Sequence, residues 1–150
     1  MHHEAGEKWE EIGDLTRAFL DYCETSDQEA IMRVLKKLTA RSPIGKSWYY
    51  EVAGTALKDQ KLLKEAAKEA MQNKQFETAL RLYRKTEDDY EYQKTIEKAK
   101  RYAALLFEEG EPRTALHVAK IVGDPSFLDS LERQVGNLEN IIKDKSKTDK

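Results

Sequence analysis

Two segments of the chain share the tripeptide Thr-Ala-Leu at the same place in a helical pattern. The first copy covers residues 78–80 and the second covers residues 114–116, so Ala79 and Ala115 lie 36 positions apart. A period of about 34 to 47 residues built from helix pairs is typical of helical-repeat arrays. Each repeat in such an array packs on its neighbours, and the stack presents an extended surface to other macromolecules. The repeat therefore predicts an all-α fold of stacked helix pairs.

Apolar residues recur at three- and four-residue intervals along most of the chain, which indicates amphipathic helices rather than strands. The pattern predicts about eight helices joined by short turns, the first over Lys8 to Glu24 and the last over residues 125–143. The residues predicted to cap or separate the helices are Ser26 or Asp27, Arg41 to Gly45, Asp59, Asn73 to Gln75, the acidic turn 87–89, Gly110 to Pro112 and Asp124.

The predicted last helix has a long apolar face that is suited to covering a neighbouring helix or subunit. That face consists of Phe127, Leu128, Leu131, Val135, Leu138, Ile141 and Ile142. Residues 144–150 follow as a charged tail, which is expected to be flexible.

Charged residues make up 36% of the chain, against about 25% in an average protein, but the net charge is only −2. The charge is uneven: residues 1–29 sum to −7, residues 30–85 to +8, residues 86–140 to −5 and the last ten to +2. Solvated helix faces explain this order, and it also suits head-to-tail self-contact or an anionic partner at residues 30–85. We call residues 30–85 the basic central segment.

Cysteine usage and hydropathy bear on the compartment. Cys23 is the single cysteine, so no intramolecular disulfide can form and a reducing environment fits best. No apolar run approaches the ~18 residues that a membrane span needs, and the N-terminus lacks the pattern of a secretion signal. A cytoplasmic protein without a membrane segment is predicted.

The stretch from Leu63 to Thr86 carries a large–small–small–small helix followed by an aromatic–Ala–aromatic helix. The residues that form this pattern are Leu63, Ala66, Ala67 and Ala70, then Phe76, Ala79 and Tyr83. The pattern resembles the tetratricopeptide repeat (TPR), in which small residues lie where two helices cross and larger rings fill the space beside them. A second copy falls in the same register at Ala99, Tyr102, Ala103, Leu106, Gly110, Ala115 and Ala119.

The second copy departs from the pattern, because Pro112 and Ala119 replace the rings of Phe76 and Tyr83. Near the front, residues 9–13 look like the Trp-x-x-Leu-Gly that opens the family's repeat. The resemblance implies a short right-handed stack of antiparallel helix pairs, in one domain over residues 1–143 with its best repeats at 60–86 and 96–122. The α-solenoids of coat and intraflagellar transport proteins share this style, and an unrelated antiparallel helix bundle would need similar alanine and leucine stripes.

In the family, the first helix of each pair lines a concave groove, and Lys, Arg and Asn in that groove hold a peptide carboxylate. Transferred to this sequence, the resemblance implies a partner-binding groove made of Lys61, Lys64, Lys68, Met71, Lys100 and Arg101. The family's asparagines are absent from these places. An acidic peptide would suit such a groove, and lysines on a solvated helix face are the simpler interpretation.

Three consecutive aromatic residues, Trp48, Tyr49 and Tyr50, form a second candidate interface. Three adjacent rings cannot all face one side of a helix, so at least one is expected at a surface or against another subunit. Trp and Tyr are enriched in interaction hot spots. Ordinary core packing with one exposed tyrosine is the default interpretation, and an interaction hot spot is the alternative.

These features predict a non-enzymatic protein–protein interaction module or scaffold that presents a helical groove to a peptide or protein, as a single chain, a homo-oligomer or a subunit of a larger assembly. The alternative is a regulatory helical domain that binds nucleic acid or another anionic partner through the basic central segment. Acidic ends and the lack of Arg-rich motifs make nucleic acid the less favoured partner. No catalytic residue, cofactor or metal ligand is predicted, because Cys23 has no apparent histidine partner and His117 has no Cys or acid at metal-ligand spacing.

Overall fold

The computed structural model describes residues 2–41 and 45–148, and in these ranges the chain is helical without strands. The all-α prediction is confirmed. The described residues form nine helices: α1 (His2–Glu11), α2 (Leu15–Thr25), α3 (Gln28–Arg41), α4 (Lys46–Leu57), α5 (Gln60–Gln72), α6 (Phe76–Lys85), α7 (Asp89–Glu108), α8 (Pro112–Val122) and α9 (Pro125–Thr148). They group into two compact units, Met1–Asp89 and Tyr90–Lys150.

The predicted first helix from Lys8 to Glu24 is wrong, because two helices occupy that stretch. Gly13 has a left-handed backbone with φ +86°, which ends α1. The side chain of Asp14 then accepts a hydrogen bond from the Arg17 amide at 3.1 Å and caps α2. A break here explains why nine helices are seen where about eight were predicted.

Aspartate caps fix several of the remaining helix starts, as the sequence indicates. Oδ1 of Asp27 accepts from the Ala30 amide at 3.2 Å, and Oδ1 of Asp59 accepts from the Lys61 amide at 2.9 Å. Asp124 does the same for α9. The predicted break at Arg41 to Gly45 includes residues 42–44, which lie outside the described residues, and α9 continues to Thr148 rather than ending at 143.

In the first unit each helix packs on the next one along the chain, and α2 also packs on α4. Close packing of α4 on α5 requires Gly54, because a Cβ added there would lie 2.9 Å from Leu63 Cγ. The main core cluster of this unit consists of Leu15, Ala18, Phe19, Tyr22, Ala30, Ile31, Val34, Leu35, Leu38, Ala53 and Leu62. The solenoid arrangement and its right-handed twist stay predictions.

A polar cluster connects α1 to α2 and α3. The carboxylate of Glu10 accepts hydrogen bonds from the Tyr22 hydroxyl at 2.7 Å and from the Arg33 guanidinium at 2.8 and 3.2 Å. Chiefly because of the bond from Arg33, the pKa of Glu10 is lowered. Gly6 lets α1 approach closely, since a Cβ there would lie 2.7 Å from the Tyr22 ring.

The second unit has a core of small residues, and α8 packs on α9 within it. Ala115 is completely buried, as is Ala79 in the first unit, which is what helix-crossing positions require. The buried residues of the second unit are Thr95, Ala99, Ala103, Leu106, Ala115, Val118, Ala119, Val122, Leu131 and Val135. A single repeat domain over residues 1–143 stays a prediction.

Candidate functional site

A pocket of about 440 Å³ opens in the first unit between α4, the turn that joins α5 to α6, and α6 itself. Its walls combine one large aromatic ring, one acid, one base and several small polar groups. The residues that line it are Gly45, Ser47, Trp48, Glu51, Asn73, Gln75, Thr78 and Arg81. We call it the Trp48 pocket.

Helical spacing explains how the three adjacent rings separate at this pocket. Trp48 and Glu51 are three residues apart, so they share one face of α4 and both line the pocket. Tyr49 is half-buried and packs edge-on against the buried ring of Phe19, with centroids 5.6 Å apart. Trp48 remains 47% exposed, and Tyr50 is half-buried. The ring left at the surface is thus a tryptophan, not the expected tyrosine.

An ion pair between Arg81 of α6 and Glu51 of α4 crosses the pocket wall. Arg81 Nη2 donates to Glu51 Oε2 at 3.1 Å, and Nη1 contacts the other carboxylate oxygen. Two parallel contacts give the pair a fixed orientation. The hydrogen bond from Glu51 raises the pKa of Arg81, so the guanidinium stays charged. About half of the Arg81 side chain is still accessible, which leaves further N–H donors for a ligand.

Backbone hydrogen bonds hold the polar side chains beside this ion pair. The buried Ser47 hydroxyl donates to the Ala66 carbonyl at 2.8 Å and so connects the start of α4 to α5. Asn73 Nδ2 donates to the Glu69 carbonyl at 3.0 Å, which leaves its side-chain oxygen as an acceptor. Gln75 is exposed at the start of α6. An aromatic surface next to charged and amide groups can bind an apolar side chain and hydrogen-bond a peptide backbone at once.

The groove residues predicted in the first unit lie along α5, and two of the lysines have acidic partners. Lys64 Nζ lies 3.5 Å from Asp88 Oδ2, and Lys68 Nζ lies 3.5 Å from Glu65 Oε1. Lys61 is exposed in the first turn, and Met71 is half-buried. Ion pairs at a protein surface contribute little to stability.

Of the two groove residues predicted in the second unit, Lys100 is the less open. Lys100 Nζ binds Asp124 Oδ2 at 2.8 Å and lies 5.8 Å from the Phe127 ring centroid. That hydrogen bond raises the pKa of Lys100 and lowers the pKa of Asp124. Arg101 is exposed. A single groove that combines α5 and α7 stays a prediction, because the two sets lie in different units.

Many bases of the basic central segment have acidic partners close by. Arg33 and Lys37 contact Glu10 of α1, at 2.8 and 3.6 Å. Lys64, Lys68 and Arg81 are paired as described above. Internal pairing reduces the positive field that this segment offers to nucleic acid.

Other positions considered for chemistry have ordinary surroundings. Burial raises the pKa of the half-buried Cys23 thiol to about 11, so little thiolate forms at neutral pH. His117 is exposed on α8. Within residues 2–41 and 45–148, no group of three or more His, Cys, Asp and Glu is placed to hold a metal ion.

Among the helices that the structure describes, none combines the length and apolar character needed to cross a bilayer.

Sequence reasoning identified Trp48 and missed Glu51 and Arg81. These two charged residues are 30 positions apart, and nothing in the local pattern connects them. The position of Arg81, just after the first Thr-Ala-Leu, was the available signal, because His117 occupies the matching place in the second copy.

Comparisons of the chain with protein-family models, with curated proteins and with solved structures return no match.

Proposed function

We propose that this chain is a non-enzymatic protein-interaction module that holds a peptide segment of its partner in the Trp48 pocket. The observation that carries the proposal is a half-exposed tryptophan beside a doubly bonded Arg–Glu pair. Tryptophan and arginine are the residue types most enriched in binding hot spots. The structure fixes both: Trp48 packs on Tyr49 with centroids 5.2 Å apart, and Arg81 is oriented by Glu51.

Preorganisation is the proposed mechanism. Rigid helices hold the aromatic wall and the ion pair in place before the partner arrives, so less side-chain freedom is lost on binding. An apolar side chain of the peptide would cover Trp48. The remaining donors of Arg81 and the amide of Gln75 would bind its backbone carbonyls or a carboxylate, which gives an acidic peptide an advantage.

A random peptide display library provides the test, because it needs no known partner. Selected peptides are measured on the Trp9→Phe variant, in which Trp48 is the sole tryptophan and reports binding by its fluorescence. Trp48→Ala, measured by calorimetry, is expected to weaken binding by about 30-fold or more, the size of a hot spot. Tyr90→Ala removes a 74% exposed ring of the second unit and is expected to change the affinity little.

Two outcomes would contradict the proposal: no peptide family is enriched, or the enriched peptides bind Trp48→Ala as well as the parent. Arg81→Met separates the roles of the ring and the ion pair, since it keeps the aliphatic length and removes the charge.

The alternative, nucleic-acid binding through the basic central segment, predicts instead tight binding to single- or double-stranded oligonucleotides that weakens steeply with salt. Binding of that kind, unaffected by Trp48→Ala, would favour the alternative.

A further inference from the structure

Helix α9 has apolar residues in a strict alternation of three- and four-residue steps. These residues are Leu128, Leu131, Val135, Leu138 and Ile142. A 3.5-residue period is the heptad pattern of coiled coils, in which such positions pack into the matching positions of another helix. We call these five residues the α9 seam.

The α9 seam changes from buried to exposed along its length. Leu131 and Val135 are only 4% and 5% exposed, inside the second unit. Leu138 is half-buried, whereas Ile142 is 59% exposed and the adjacent Ile141 is 54% exposed. Helix α9 has 24 residues and its neighbour α8 has 11. The apolar pattern therefore continues past the part of the helix that its own unit covers.

The charges of α9 have a direction as well. Residues 129–139 sum to −2, and residues 143–148 sum to +2. Two such helices placed antiparallel bring the acidic part of each beside the basic end of the other. A parallel pair would place like charges side by side, which is unfavourable. The charge order thus identifies a suitable occupant for the exposed end: the same helix of a second copy, reversed.

We propose that two copies of this chain pair through the exposed ends of α9, antiparallel, with Leu138 of each copy opposite Ile142 of the other. In this register the two Glu139 and the two Lys143 side chains gather on one side of the α9 seam as a neutral cluster. Beyond these two positions Val135 is already covered by its own unit and residue 145 is a lysine, so the apolar contact is short. The dimer is accordingly weak, with a dissociation constant on the order of 10–100 µM for so small an interface.

Sedimentation equilibrium of the full chain tests the dimer directly. Ile142→Lys is expected to raise the dissociation constant about tenfold or more, because it removes an apolar contact and adds a charge. Asn140→Lys is the matched control: it adds the same charge between the two contact residues but on the opposite face of α9, and a change below about threefold is expected. Wild-type protein that remains monomeric up to about 1 mM, or equal effects of the two variants, would overturn the proposal.

Two variants with opposite charge changes test whether the copies pair through the cluster of Glu139 and Lys143. Glu139→Lys alone gives a dimer with four positive groups there, and Lys143→Glu alone gives four negative groups, so each variant is expected to dimerise less than wild type. An equimolar mixture restores two of each sign and should form a heterodimer at least as tightly as wild type dimerises. A mixture that associates no better than either variant would contradict pairing at this surface.

Disulfide trapping tests the antiparallel register. Leu138→Cys and Ile142→Cys are expected to cross-link with each other when mixed and to give little cross-linked dimer alone, because equal positions lie about four residues, or 6 Å, apart along the axis. Wild type, which retains only Cys23, is the background control. Efficient cross-linking of either variant alone would show a parallel pair or a different register and would overturn the assignment.

Discussion

The two Thr-Ala-Leu copies are alike at their alanines and different around them. Ala79 and Ala115 are both completely buried. In the first copy Phe76 is 3% exposed and fills the space beside the crossing, whereas Pro112 holds the matching place in the second copy and is half-buried. Close approach of two helices fixes the small residue, and the positions around it are free to diverge.

This divergence extends to the residue that follows each tripeptide. Arg81 follows the first copy and pairs with Glu51 at the Trp48 pocket. His117 follows the second copy and is exposed on α8. The residue after the first copy therefore lines a candidate binding pocket, whereas the matching residue of the second copy lies on the exposed surface of α8.

The two units also differ in the feature that each presents at its surface. The first unit connects its helices by polar pairs, from Glu10 with Arg33 to Glu51 with Arg81. The second unit also has a polar pair, Lys100 with Asp124, but it leaves the end of α9 exposed at Ile141 and Ile142. We infer that the first unit binds another protein at the Trp48 pocket, and that the second unit binds a second copy at the exposed end of α9.

The largest expected effect is on the core of the first unit. Phe19→Ala removes a ring with no exposed surface and should lower the free energy of unfolding by about 3–5 kcal/mol. Both tryptophans, Trp9 and Trp48, lie in this unit, so urea unfolding followed by tryptophan fluorescence reports on it. Leu20→Ala, at a 40% exposed neighbour, should cost less than about 1 kcal/mol. Similar losses in the two variants would contradict the core placement of Phe19.

A smaller effect is expected at the two helix crossings, and it should be similar in both units. Ala79→Leu and Ala115→Leu each insert bulk where no space exists, so each should lower the free energy of unfolding by about 1–3 kcal/mol. Urea unfolding followed by far-UV circular dichroism measures both. Ala104→Leu, at an exposed position of α7, is the control. A cost at Ala115 no larger than at Ala104 would show that the second crossing is looser than the first.

The helix starts, the helix-forming pattern and the crossing alanines could be predicted from sequence, because caps and apolar periodicity are local signals. Asp59 and Asp124 show this, since each caps the helix that follows it. The break at Gly13 was missed because the apolar stripe on both sides has a compatible period, and a single glycine costs a helix only about 1 kcal/mol. The Trp48 pocket was predicted only as an exposed ring, since the pairing of Arg81 with Glu51 depends on tertiary packing.

The polar cluster of Glu10, Tyr22 and Arg33 gives the first unit a pH dependence of predictable sign. The pKa of Glu10 in the folded protein lies below the unfolded value of about 4.3. The stabilisation from its ion pair is therefore present above that pH and is lost as the pH falls through the folded pKa. Glu10→Gln should cost about 1 kcal/mol at pH 7 and lose less stability than wild type between about pH 5 and 3. Urea midpoints by tryptophan fluorescence measure this, with Glu11→Gln as the exposed control. Parallel pH profiles for wild type and Glu10→Gln would contradict the assignment.

The smallest effects come from two helical glycines, and their signs should differ. Gly136 of α9 has no atom within 4 Å of an added Cβ, so Gly136→Ala should stabilise the chain by about 0.5–1 kcal/mol. Gly54→Ala should instead destabilise it by about 1 kcal/mol net, because contact with Leu63 outweighs the gain in helix propensity. Thermal melts of the two variants provide the comparison. Stabilisation by both would mean that α4 and α5 are less closely packed than described.

The contrast between a pocket in the first unit and an exposed, self-pairing end of α9 in the second is tested most directly by amide hydrogen exchange of the full chain at two concentrations. Mass spectrometry of peptic fragments at about 1 µM and 300 µM brackets the expected dissociation constant. Protection should rise with concentration over residues 138–146 of α9 and stay constant over residues 76–85 of α6. Exchange that is independent of concentration in α9, or that slows in α6 instead, would contradict this central claim.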